Sequence, residues 1–100
     1  MKLGILVNTN AYLDDVIGIT NAAVSKGHEV GIFVMDEGTR LLETKEFVSL
    51  CGIQGMNITY CNYNVERLGV SKEISPDEIV CGSQYDNAVM VHNADKVIVL

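Results

Sequence analysis

The chain has 100 residues, 48% of them hydrophobic, with 13 acidic and 7 basic side chains and a formal net charge of −6. That length suits one hydrophobic core, so a single domain over residues 1–100 is expected, and the apolar content excludes a disordered chain. Residues 1–50 carry four basic and seven acidic groups and residues 51–100 three and six, so no basic patch points to direct binding of nucleic acid or an anionic membrane.

Leu3 to Val7 is a continuous apolar run of strand length, the pattern of a strand covered on both faces. Leu13, Val16, Ile17, Thr20 and Val24 then fall on one helical stripe, which predicts a helix over residues 11–26 with Gly27 as its stop. Val30 to Met35 is a second buried-type strand, and the strand, helix, strand spacing predicts parallel pairing. Asp36-Glu37-Gly38 reads as a turn, followed by a helix over residues 39–50 with Thr44, Phe47, Val48 and Cys51 on one stripe and Gly52 as its stop. Met56 to Tyr60 alternates as a third strand, and Cys61 follows it directly. Asn62 to Leu68 reads as a short helix ended by Gly69, and residues 70–78, with the only proline, as a loop. Ile79 to Cys81 is a minimal fourth strand. Ser83 and Asp86 have the spacing of a capping box that opens a helix, with Tyr85, Ala88, Val89 and His92 as its stripe. Lys96 to Leu100 closes the chain as a fifth strand. Five strands alternating with four helical segments give an α/β protein with a parallel sheet.

No apolar run has the length of a membrane span and the opening residues lack a secretory pattern, so a cytoplasmic protein without membrane contact is expected. Cys51, Cys61 and Cys81 are odd in number and too widely spaced for a disulfide framework or a zinc site, so they read as reduced thiols. His28 and His92 have no ligand at metal spacing and read as structural. The loop Asn8-Thr9-Asn10 lacks glycine and is followed by Asp14 and Asp15, which would repel a phosphate. No metal, flavin or nucleotide cofactor is expected. A small domain this apolar is also expected to bury surface against further copies, through the second or the fourth helix.

Cys61 is the sharpest chemical candidate. A side chain just past a strand and just before a helix lies where open parallel sheets gather ligands, and a helix start favours a thiolate. Asp36 and Glu37, at the end of the second strand, would oppose the thiolate if they faced it. Arg67 is the nearby cation, either offsetting them or standing as a solvated helix charge, the second being the commoner role of such a residue. Cys81 also ends a strand and is a candidate resolving thiol if it faces the same edge, whereas Cys51, on an apolar stripe, reads as buried structure.

The segment Cys61-Asn62-Tyr63-Asn64-Val65-Glu66-Arg67-Leu68-Gly69-Val70 resembles the cysteine motif of the DsrE (DsrE/DsrF/TusD-like) sulfur-relay family, particularly its small YchN-like members. In that family an apolar strand ends in a cysteine, a short helix follows, and Arg-x-Gly and an apolar residue close the motif. The likeness extends to Gly27-His28-Glu29-Val30, to Asp36-Glu37-Gly38 and to the closing Asn93 to Val99. It implies a three-layer α/β/α fold on a five-stranded parallel sheet, flavodoxin-like in appearance. It further implies homotrimers, homohexamers or assembly with sister subunits, and a persulfide carried on Cys61 between a donor and an acceptor protein. Arg67, Asn62 and Cys81 are the possible supporting residues. The residues after Cys61 depart from the family pattern, with Asn62, Tyr63 and Asn64 where small apolar ones are common. The other reading is a non-catalytic oligomeric module that binds a small ligand at the strand ends.

Overall fold

The computed structural model describes all residues 1–100. The apolar runs form β1 (Lys2–Val7), β2 (Glu29–Val34), β3 (Met56–Cys61), β4 (Val80–Gly82) and β5 (Lys96–Val99), joined in one parallel sheet of order β4-β3-β2-β1-β5. The helices are α1 (Leu13–Ser25), α2 (Lys45–Val48), α3 (Asn62–Leu68) and α4 (Gln84–Asn93), with 3₁₀ turns over Asp36–Glu43 and Ser49–Gly52.

The strand order dictates where the helices lie. From β1 to β4 each crossover steps one strand in the same direction, and right-handed connections therefore place α1, α2 and α3 on one face of the sheet. The step from β4 back to β5 runs the other way, so α4 alone covers the second face. The expected three layers are present, but they are unequal.

The first face holds the core. Leu3, Ile5 and Val7 of β1, Val30, Ile32 and Val34 of β2 and Ile58 and Tyr60 of β3 are buried there against Val16 and Ala23 of α1, Leu41 and Leu42, Phe47 and Val48 of α2, and Val65 of α3. On the second face α4 has no buried residue. Its Met90 crosses the strands over Gly4 and Gly31, which lack the Cβ that would meet it. Apolar side chains remain exposed here and on its rim, among them Val89, Val91, Val97 and Val99.

Two of the three predicted glycine stops, Gly27 and Gly69, act as such, whereas Gly52 is the last residue of a 3₁₀ turn and is not left-handed. Gly27 is left-handed, its N–H donates to the carbonyl of Val24 and that of His28 to Ala23, closing α1 in the pattern that satisfies its last free carbonyls. Gly69 ends α3 in the same way, with Val70 donating to Val65. The capping box of Ser83 and Asp86 opens α4.

Two readings need correction. The single helix predicted over residues 39–50 is three short pieces, broken where Thr44 is extended. Gly38 sits against the Val7 carbonyl so closely that a Cβ would collide with it. The Thr39 hydroxyl donates to Asp36 O at 2.7 Å. This docked segment turns as a 3₁₀ helix and buries the adjacent pair Leu41 and Leu42. The stripe of α4 is also rotated from expectation. Asp86, Val89, Met90 and Asn93 line the groove toward the sheet, while Tyr85 is 75% exposed.

Candidate functional site

In an open parallel sheet a crevice opens at the carboxyl ends of adjacent strands whose following helices leave to opposite faces. Only β3 and β4 meet that condition here among strands with a following helix, since α3 goes to the core face and α4 to the other. Cys61 is the last residue of β3 and the residue before α3, and it stands in register with Gly82, the last residue of β4. The thiol predicted from sequence is therefore at the topological switch point, between the starts of two helices.

Alternation along β3 directs Asn57, Thr59 and Cys61 toward the α4 face, and Ile58 and Tyr60 toward the core. Cys61 is only 3% exposed. Gly82 makes room beside it: a Cβ there would lie 2.5 Å from Thr59 Cγ2 and 2.6 Å from Asp86 Oδ2. Across the edge from β2, Gln84 Nε2 approaches Met35 Sδ at 3.8 Å and brings the first turn of α4 to the end of β2.

The two carboxylates that end β2 are both met by arginines. Arg67 Nη2 lies 4.0 Å from Asp36 Oδ1, and Arg40 pairs with Glu37. Glu37 holds the Arg40 guanidinium above its ordinary pKa through a hydrogen bond and charge attraction. Arg67 thus acts on Asp36, and its contact with Cys61 would be indirect. Asn62, the first residue of α3, donates to Glu66 Oε1 at 3.3 Å, while its own Oδ1 is buried without a partner.

The sequence reading missed Asn64. Its Oδ1 accepts the Asp36 N–H at 2.9 Å, and Asp36 is the one non-glycine residue with a left-handed backbone, at φ 47°. A buried polar residue three positions past the cysteine, beside Val65 on the inner side of the helix, was the available signal.

Cys81 does not join Cys61. It is in register with Tyr60, one residue before the Cys61–Gly82 pair, and so projects from the opposite face of the sheet. The expectation that both thiols face one edge fails because strand register, not position near a strand end, sets the face. Cys51 packs on the margin of the core, and burial, with the Glu78 charge second, pushes its thiol pKa up. No three His, Cys, Asp or Glu side chains come together as a metal-binding group. No helix is long and apolar enough to cross a membrane.

A groove of about 440 Å³ runs along the second face between α4 and the sheet, lined by Gly4, Gly31, Phe33, Thr59, Asp86 and Met90 among others. Thr59 and Asp86 mark its end nearest Cys61, which stays closed off from it.

No protein-family model matches the sequence, and no curated protein does. Solved structures do resemble it. The ychN protein from E. coli superposes with a TM-score of 0.73 over 99% of this chain and 97% of its own, at 12% identity. A protein of unknown function, BT1422 from Bacteroides thetaiotaomicron, gives 0.73 over 99% and 94% at 19% identity. MTH1491 from Methanobacterium thermoautotrophicum, also titled as of unknown function, gives 0.70 over 99% and 98% at 11% identity. These full-length superpositions give the chain the same α/β fold as the E. coli ychN protein.

Proposed function

We propose that the protein is a small sulfur carrier whose cargo is held as a persulfide on Cys61. The observation that carries this reading is the position of Cys61 at the switch point between β3 and β4, the place where a parallel sheet of this order gathers a ligand. The pairing of Asp36 with Arg67 and of Glu37 with Arg40 supports it, because it offsets the charges that would disfavour an anionic sulfur nearby.

The chemistry balances without a cofactor. The Cys61 thiolate attacks the outer sulfur of a donor persulfide, R-S-SH, the donor S–S bond breaks, and the donor leaves as R-S⁻. Cys61 then holds S-SH. An acceptor thiolate attacks that outer sulfur and Cys61 departs as thiolate, ready for another cycle. The buried position would shelter the persulfide from solvent thiols between partners, and docking of a partner on the strand ends would uncover it. The exposed apolar second face fits assembly of several copies or of sister subunits, in the cytoplasm, with donor and acceptor proteins as transient partners.

The burial of Cys61 favours a second reading, a non-catalytic oligomeric module that uses the groove under α4 for a small ligand. Iodoacetamide separates the two. Labelling of Cys61 in the native protein, at a rate faster than global unfolding, supports the carrier; labelling only after unfolding supports the binding module.

A further inference from the structure

The second face of the β3–β4 pair carries Cys61, and the first face carries a different constellation. Cys81, on the edge strand, is exposed. Beside it in register is Tyr60, and the loop after α3 brings Lys72 Nζ to 5.5 Å from the centre of the Tyr60 ring. The three side chains share a cleft of about 350 Å³, completed by Ser75, Pro76, Asp77 and Ile79. We propose that this cleft is a second thiol site, in which Cys81 undergoes exchange with low-molecular-weight disulfides that carry carboxylates.

Each part of the cleft has a role in that exchange. A solvent-open thiol meets a small disulfide without opening the fold. Lys72 supplies a positive charge for a carboxylate of the incoming molecule, and the Tyr60 ring beneath it fixes where that charge stands. The phenol feels both neighbours: burial raises its pKa most, the Cys81 thiol raises it further, and the Lys72 ammonium lowers it. Asp77 is the only acid lining the cleft and opposes the same anions. That leaves Lys72 as the group that decides between anionic and cationic reagents.

The step conserves atoms and electrons. Cys81 loses its proton to solvent, the thiolate attacks one sulfur of R-S-S-R, the reagent S–S bond breaks and a Cys81–S–S–R bond forms. The departing R-S⁻ takes the electron pair and is protonated in solution. Cys81 is oxidised and half of the reagent is reduced. Cys61 has no part in it.

The test uses the native full chain with glutathione disulfide as the anionic reagent and cystamine as the cationic one, read by intact mass and by mapping of the modified peptide. Glutathionylation is expected at Cys81, lost in Cys81→Ser and retained in Cys61→Ser. Lys72→Gln is expected to slow glutathione disulfide by about fivefold and not to slow cystamine, whereas Lys72→Arg keeps the parent rate. Native protein unmodified at Cys81, or a Lys72→Gln variant that reacts with both reagents as the parent does, overturns the proposal.

Discussion

Asn64 Oδ1 accepts the backbone N–H of Asp36 at 2.9 Å, so the helix that follows the candidate cysteine holds the left-handed turn that ends β2. Asp36 is also the partner of Arg67 on the same helix, three residues beyond Asn64. The backbone bond is part-buried and the ion pair is half exposed, so the first fixes the geometry and the second adds little stability.

Asn64→Ala leaves the Asp36 amide without its acceptor, and is expected to cost about 1–2 kcal/mol in urea unfolding. Asn62→Ala is the control. Its amide makes only an exposed 3.3 Å contact with Glu66, so a loss under about 0.5 kcal/mol is expected. Equal losses for the two variants would remove the special role of the Asn64 bond.

Stability is expected to fall on the alkaline side. Cys51 and Tyr60 both have raised pKa values in the fold, burial being the main cause for each. The unfolded chain therefore releases these protons at lower pH than the folded one, and unfolding is favoured as pH rises through the thiol range, above about 8.5, and then the phenol range. Below both ranges the stabilising effect of the two protonated groups is fully present. Unfolding free energies from pH 7 to 10.5 (order-of-magnitude bounds of the titration window) should decline in the parent and decline less in Cys51→Ala, compared with its own neutral value. Parallel slopes would contradict this.

The strands, their parallel pairing and the glycine stops of α1 and α3 were legible in the sequence because each has a local cause: continuous apolar runs, a crossover-length spacing, and a left-handed residue where a helix must end. The segment after β2 was not. Its residue spacing is compatible with one helix, whereas the chain is extended at Thr44 and Gly38 seats on the Val7 carbonyl, a contact between elements that no local pattern encodes. Cys61 was found because being both strand end and helix start is visible along the chain. Its burial, the facing of Cys81 and the bond from Asn64 to Asp36 were not, since all depend on register or on residues 28 positions apart.

Self-association is expected through the face that α4 only partly covers. Val97 and Val99 of the edge strand β5 are 40% and 58% exposed, and α4 adds the exposed Val89 and Val91. Val99→Asp introduces a charge on that surface with no core contact to lose. It should leave the circular dichroism spectrum unchanged and shift light scattering to a smaller species. A monomeric parent, or a variant of unchanged mass, would move the interface elsewhere or remove it.

The central claim concerns sulfur on Cys61, and the most direct measurement is persulfide loading followed by intact mass and peptide mapping. The native parent, incubated with a persulfide donor, is expected to gain one sulfur atom at Cys61 that a thiol acceptor removes. Cys61→Ser should keep its fold and lose that gain, because serine is nearly the size of cysteine but cannot hold a persulfide; Cys51→Ser and Cys81→Ser should still load at Cys61. Loading of Cys61→Ser equal to the parent, or a parent that takes no sulfur at Cys61 in its folded state, would contradict the account.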